Sequence, residues 1–345
     1  MKVTIKDVAR ESGFSVATVS LALSDKPSRV SPSTREKIRK IAETLDYTPS
    51  RLAVSLATQR SKMIGFLTDD FENPFIAANY MVIHRALQSF GYFLVTSTTK
   101  DDASQEKDTI ASLLSCGIDG LIYTKSEVMG QLEELDGLCS VIQRSGIPVV
   151  SCDNLMMEKY GTGVRCNYQQ GGYIAAKHLL ELGHRKIACI TGSLTLKVTQ
   201  DRLLGYKQAL QDWNVEFDEQ LIYEGDYTMD SGENALAYLL GKGVKAVFAF
   251  NDEMAFGLYK SAHKYGVRIP EDISIVGFDN IRFADVMETP LTSVGFDSTQ
   301  VGYEIARRIA QMIEQPETVL PPISYEPSLF VRSSTCRANT LRPAE

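Results

Sequence analysis

Four places in this 345-residue chain put hydrogen-bonding side chains just past short apolar runs. Asn73-Pro74-Phe75 lies beyond Met63-Ile64-Gly65-Phe66-Leu67, and Asp153-Asn154 beyond Pro148-Val149-Val150. Asn251-Asp252 follows Ala246-Val247-Phe248-Ala249, and Gly277-Phe278-Asp279-Asn280 follows Ile273-Ser274-Ile275-Val276. A guanidinium is available nearby in sequence order, in Asp201-Arg202-Leu203-Leu204-Gly205-Tyr206. Carboxylates and amides take hydroxyl groups in paired hydrogen bonds, and an aromatic face stacks on the C–H side of a ring. Brought together, Phe75, Asp153, Arg202, Asn251 and Asp279 suit a polyhydroxylated ligand. Each strand-end Asp or Asn has a competing role as the cap of the next helix, and Asp252 is placed to cap residues 252–265.

Catalytic and metal chemistry are poorly served. No Gly-x-Gly-x-x-Gly follows a strand, and there is no Gly-x-x-x-x-Gly-Lys loop or Gly-x-Ser-x-Gly elbow. Nothing supplies a nucleophile beside Asp279 and Arg202. The four histidines lack His-x-x-x-His spacing and the six cysteines lack a Cys-x-x-Cys pair, so no metal or cofactor is expected and the thiols read as reduced.

A second constellation lies in the first sixty residues, which hold eleven Lys and Arg against six Asp and Glu, a net +5. The chain as a whole carries −7, so residues 61–345 carry −12. Such a split suits one end meeting a polyanion, against the plainer reading of a solvated basic tail. Thr4-Ile5-Lys6-Asp7 has the form of a capping box, and Gly13 is placed to end the helix it starts. Ser15 caps a second short helix over 16–23, and Ser31-Pro32 opens a third, with Ile38, Ile41, Ala42 and Leu45 as its buried stripe. Two short helices joined by a Gly-containing turn form a helix-turn-helix unit, here with Val8, Val19 and Leu23 as its core. Ser15, Val16, Ala17, Thr18, Ser20 and Leu21 are then left facing outward. Small apolar groups there meet thymine methyls and hydroxyls meet phosphates. Thr4 joins them as an expected DNA contact. A three-helix bundle without a DNA role is the competing reading.

From residue 62 onward short apolar runs alternate with amphipathic ones. Strands are expected at 63–67, 92–95, 120–123, 148–150, 187–190, 221–224, 246–249 and 273–276. Helices are expected at 76–90, 103–116, 131–144, 169–182, 199–212, 230–241 and 252–265. This alternation predicts an α/β fold of two doubly wound parallel sheets, with ligands beyond the carboxyl ends of the strands.

Thr4-Ile5-Lys6-Asp7-Val8-Ala9, Ser15-Val16-Ala17-Thr18-Val19-Ser20 and Val30-Ser31-Pro32-Ser33-Thr34-Arg35 together resemble the head of the LacI/GalR family of bacterial transcription regulators. Asp46-Tyr47-Thr48-Pro49-Ser50 and Leu52-Ala53-Val54-Ser55-Leu56 resemble that family's hinge, and the likeness runs to about residue 332. The resemblance implies a helix-turn-helix head over 1–48 and a hinge helix over 49–61 that orders on DNA. Leu56 would be a wedge between base steps, with Ala53 against the minor-groove floor. Val54 and Ala57 stand where many relatives are basic. The resemblance further implies a periplasmic-binding-protein-like body with three crossovers, one lobe holding 62–163 and 292–322 and the other 164–291 and 323–332. Residues 333–345 then read as a polar tail.

The family's effector pocket maps onto Phe75, Asp153, Arg202, Tyr227, Asn251, Asp279 and Phe296. Phe296 departs from the Gln of several relatives. Leu196 replaces the Arg of the purine-responsive member, which disfavours a purine and favours a sugar or sugar phosphate. Lys197 offers a phosphate partner, against its ordinary role as a solvated charge. The implied function is a cytoplasmic repressor of a carbohydrate-utilisation operon, a homodimer on near-palindromic double-stranded operator DNA, answering to a small ligand. It is not expected to be an enzyme or to enter a membrane. Two alternatives stay open: a solute-binding protein for sugar uptake, which has no use for the basic head, and a regulator whose corepressor is a phosphorylated carrier protein.

Overall fold

The computed structural model describes residues 3–24, 29–48, 55, 58, 60–69, 71–99, 103–125, 127, 128 and 132–338. It divides into two compact units, Met1–Lys62 and Met63–Glu345.

The first unit holds three helices, α1 (Ile5–Ser12), α2 (Val16–Leu23) and α3 (Pro32–Thr44). The Asp7 carboxylate accepts from both the backbone amide and the hydroxyl of Thr4, at 3.0 and 2.7 Å. Those bonds hold the Asp7 carboxyl below its ordinary range. Gly13 ends α1 in the left-handed conformation, Ser15 caps α2 and Ser31 caps α3, with Pro32 in its first turn. Val8, Ala9, Val19, Ala22, Ile38 and Ala42 form the core. Ala22 takes the inner place expected of Leu23, which is only partly buried at the edge of the cluster. Ile41 and Leu45 likewise flank the core. Ala53 and Leu56 lie outside the described residues.

The second unit contains two six-stranded sheets. The first runs β11 (Ile323–Tyr325), β5 (Gly161–Cys166), β4 (Val149–Cys152), β3 (Gly120–Tyr123), β1 (Met63–Thr68), β2 (Phe93–Thr98), all parallel. Ile64, Phe66, Ile122 and Val150 face one apolar cluster and Leu67, Leu121, Tyr123 and Val149 the other, the period-two alternation of strands covered on both faces. The covering helices are α4 (Pro74–Ser89), α5 (Ala103–Ser115), α6 (Leu132–Ser145) and, further along the chain, one over Ser298–Glu314. The second sheet runs β12 (Ser328–Phe330), β10 (Thr292–Gly295), β9 (Ser274–Phe278), β8 (Ala246–Ala249), β6 (Ile187–Thr191), β7 (Ile222–Glu224). Only the β10–β12 pair is antiparallel. The other α-helices among the described residues of this unit are α7 (Leu155–Glu158), α8 (Tyr168–Glu181), α9 (Lys197–Asp212), α10 (Met229–Gly241), α11 (Asp252–Tyr265) and α12 (Ser298–Glu314).

Strand pairing moves the expected lobe boundaries. β5 continues to Cys166 in the first sheet, β10 belongs to the second although the resemblance places 292–322 in the first lobe, and β11 belongs to the first although the resemblance places 323–332 in the second. The chain therefore crosses between halves near 167, 296 and 327. Residues 333–338 are hydrogen-bonded into the second half. The Ile275 amide donates to the Ser334 carbonyl at 2.8 Å, and the Ser334 hydroxyl donates to the Ile275 carbonyl at 2.6 Å. The Ala338 amide donates to the Leu182 carbonyl at 2.9 Å. No helix among the described residues is long and apolar enough to cross a membrane.

Candidate functional site

Both sheets aim their carboxyl ends at one cleft of about 610 Å3. Six of the seven expected ligand residues line it: Phe75, Asp153, Arg202, Tyr227, Asp279 and Phe296. They arrive from different elements. Phe75 opens α4, held by its amide donating to the Asn73 side chain at 2.9 Å. Asp153 and Asp279 directly follow β4 and β9, Arg202 projects from α9, Tyr227 precedes α10, and Phe296 lies where the chain crosses halves after β10. Asp153, Tyr227 and Asp279 all have positive φ, at 55°, 67° and 98°, a costly conformation for non-glycine residues that gathers at functional sites.

Arg202 is the hub. Its guanidinium is buried, donates to the Phe250 carbonyl, and lies 3.5 Å from the Asp279 carboxylate. It packs 3.9 Å from the ring centre of Phe278 and 4.8 Å from that of Tyr168, contacts that favour a cation over aromatic faces. Its Nε is buried and has no hydrogen-bond partner among the described residues. Among the described residues the Asp279 carboxylate has one ion pair, the loose one to Arg202, which leaves acceptor capacity on it. Asp153 is more fully engaged: one oxygen accepts from the Cys166 amide at 2.6 Å and the other from the Tyr168 hydroxyl at 3.0 Å. Burial pushes both carboxyls up to about 7, by penalising the charged form. The Tyr227 hydroxyl shares a hydrogen with Thr199 at 2.7 Å.

Asn251 is the exception. It does not line the cleft. Its side-chain oxygen caps α11 by accepting from the Met254 amide at 2.9 Å, and its amide nitrogen donates to the Tyr227 carbonyl at 2.8 Å. It therefore positions Tyr227. The capping role expected of Asp252 falls to Asn251 instead. Asp252 is buried, accepting from the Ile281 amide at 2.8 Å and the Ser293 hydroxyl at 2.6 Å, so it ties β10 to β9's outgoing loop.

Sequence reasoning missed Tyr168, which bonds Asp153 and stands edge-on to Phe296 at 5.6 Å. It also missed a polar group on the first half, where Lys125, Glu106, Tyr123 and Asp69 line the same cleft. Thr124-Lys125 directly follows β3, so the strand-end rule that singled out Asp153 applies to it equally. Lys197 does not line the cleft, and its ammonium pairs with Asp201.

In the first unit α2 presents an outward face. Ser15, Val16, Ala17, Ser20 and Leu21 are exposed and Thr18 is half-buried. Val16 and Leu21 keep 43% and 47% of their surface open, although nothing in the unit's own core needs them there. Two of the expected hydroxyls are already engaged locally: Ser15 with Thr18 at 2.9 Å and Thr4 with Asp7.

Residues 4–50 match the family model described as bacterial regulatory proteins, lacI family, and residues 176–335 match a periplasmic binding protein-like domain. The HTH-type transcriptional regulator DegA of Bacillus subtilis is 32% identical over 342 residues, covering 99% of this chain and 100% of that protein. Among solved structures, the lac repressor dimer bound to operator and the anti-inducer ONPF has a TM-score of 0.85 at 25% identity, covering 97% of this chain and 100% of that one. The transcriptional regulator CelR in complex with cellobiose has a TM-score of 0.70 at 30% identity, with 96% and 100% covered.

Proposed function

The chain belongs to the lacI family of bacterial regulatory proteins and is a DNA-binding transcription regulator; we propose that it represses a carbohydrate-utilisation operon and that a sugar in the cleft sets its operator affinity. The observation that carries this reading is the convergence of Arg202, Asp153 and Asp279 with Phe75, Tyr227 and Phe296 in one cleft. A guanidinium and two carboxylates offer donors and acceptors in fixed directions, and aromatic rings offer a stacking wall. Leu196 at the wall adds no hydrogen bond for a base edge, which supports a sugar over a purine.

The cleft works as a receptor rather than a catalytic centre. Burial pushes the thiols on its wall, Cys152 and Cys166, upward, so they hold little nucleophilic thiolate. DNA is met by the α2 face, with Leu56 as the minor-groove wedge and Ala53 beside it, in a homodimer reading two half-sites. Ligand and operator then compete or cooperate through a coupling of about 1–3 kcal/mol, or roughly 5–150-fold in affinity.

The test starts by selecting bound duplexes from a random pool with the purified full chain. Titrating the selected operator with a sugar panel should reveal one that shifts affinity at least fivefold. Arg202→Met should erase that shift while binding the operator normally. A sugar response that survives Arg202→Met would remove the cleft from the mechanism.

A further inference from the structure

The cleft is larger and more polar than the cluster around Arg202 requires. On the wall from the first half, Lys125 and Glu106 are each more than nine-tenths buried, with their charged groups 3.4 Å apart. Asp69 lies 3.6 Å from the same ammonium, and the Tyr123 hydroxyl donates to Glu106. Burying such charges is costly unless they are well paired and fully hydrogen-bonded. Lys125 is not. An ammonium has three donors, yet among the described residues its one hydrogen bond is to the Thr99 hydroxyl, at 2.8 Å. Distances of 3.4 and 3.6 Å to the carboxylates exceed those of good N–H···O bonds. The ammonium keeps donor directions that no described residue takes, on the wall of the same cavity as Arg202 and Asp279.

We propose that Lys125, Glu106, Asp69 and Tyr123 form a second sugar subsite, so that the effector is a neutral saccharide of two rings. This rests on the sugar reading given above and extends it. The ammonium donates to ring hydroxyls of the second sugar and the carboxylates accept from them. A cleft of about 610 Å3 falls in the middle of the range of about 300–1,000 Å3 that holds drug-sized molecules, which suits a disaccharide better than a single pyranose. The charge pattern selects against phosphate. Among the described residues five carboxylic acids and three basic groups line the cleft, and two of the bases, Arg202 and Lys125, already face carboxylates. An added phosphate meets repulsion there rather than a cationic cradle.

The test is titration calorimetry on the full-length protein with three matched sets. The first holds glucose, galactose, mannose, xylose and ribose; the second holds cellobiose, maltose, lactose, melibiose, trehalose and xylobiose; the third holds the 6-phosphates of the hexoses. A disaccharide should bind at least tenfold more tightly than either of its component monosaccharides. Lys125→Met should collapse that ratio to within threefold and leave operator binding unchanged. Asp69→Asn, at a partly exposed position, should do the same in part and covers the case in which Lys125→Met does not fold. A monosaccharide that binds as tightly as its disaccharide overturns the second subsite and leaves the sugar reading intact, as does an unchanged ratio in both variants. Tighter binding of a hexose phosphate overturns the neutral-ligand claim. No binding by any saccharide overturns the sugar reading and this proposal together.

Discussion

The backbone amide of Lys197 in the second half donates to the carbonyl of Glu127 in the first half, at 2.9 Å. Beside it, Val128 and Leu196 pair as an isolated antiparallel bridge, and both line the cleft. A backbone-to-backbone tie between halves fixes how far the cleft can open, so it bears on ligand retention rather than on recognition.

Proline at 197 tests that tie with little collateral cost. Lys197 is the first residue of α9 and Leu196 before it is extended, with φ −83° and ψ 134°. Proline is tolerated at a first helical position, and the residue before it favours this extended region. Lys197→Pro therefore removes the donor and spares the helix. A backbone hydrogen bond has a net worth of about 0.5–1.5 kcal/mol, so ligand affinity should fall roughly 2–13-fold, mainly through faster dissociation. Lys197→Ala keeps the amide and loses only the ion pair to Asp201, so it should bind nearly as the parent does. Equal dissociation rates for the two variants would rule out the tie.

The two raised carboxyls give the body a pH dependence of definite sign. Asp153 and Asp279 have folded values of about 7, raised by burial from 3.8. Between about pH 4 and 7 the folded state holds protons that the unfolded chain gives up. Stability should therefore be highest at the acid end of that window, fall as pH rises toward 7, and level off above it. Asp279→Asn should flatten part of the slope in urea denaturation followed from pH 5 to 8. Hydroxyl donors favour the ionised carboxylates, so sugar affinity should rise across pH 6–8 with protons released on binding. Calorimetry in two buffers of different ionisation enthalpy measures that release, and proton uptake would contradict the assignment.

Gly192, just past β6, gives Tyr227 its place. A Cβ there would lie 1.9 Å from the Tyr227 ring. The ring cannot swing away cheaply, because its hydroxyl bonds Thr199 and its carbonyl accepts from Asn251. Gly192→Ala should cost about 1–3 kcal/mol of stability, as overpacking does, and lower ligand affinity at least tenfold. Operator binding without ligand should persist. Unchanged ligand affinity would take Tyr227 off the list of contacts.

Periodicity read the regular elements well where pattern and burial agree. Strands at 120–123 and 246–249 and the helix at 252–265 stand at the expected residues. It failed where local chemistry hides the pattern. Gly161 and Gly163 break the apolar signature of β5, yet a side chain at 161 would strike the Val149 carbonyl at 1.9 Å and one at 163 the Glu158 carboxylate at 2.2 Å. These glycines let the chain pack closely. β11 and β12 are three residues each and frame a crossover, so no alternation long enough to read exists there. In the site, residue type alone cannot separate a helix cap from a ligand contact. Asn251 and Asp279 occupy like positions after strands, but Asn251 spends its oxygen on Met254 while Asp279 keeps its own toward Arg202. Lys125 was obscured because a lone lysine after a strand usually points to solvent; only the fold brings Glu106 and Asp69 beside it.

On the head, Leu21 and Val16 offer a test that separates sequence reading from electrostatics. Both are large apolar side chains left exposed on α2, at 47% and 43%, while the core beneath is filled by Val19 and Ala22. Truncating them should barely touch the fold. If they meet thymine methyls in the major groove, Leu21→Ala and Val16→Ala should each weaken binding to the selected operator by about 1–3 kcal/mol. Affinity for a random duplex should stay the same, because non-specific binding comes from phosphate contacts. The slope of log affinity against log salt should also stay the same, since no cation is lost. Fluorescence anisotropy on both duplexes at four salt concentrations measures all three quantities. A parallel loss on both duplexes would mean that these residues shape the head, and base reading would then have to come from Ala17, Thr18 and Ser20.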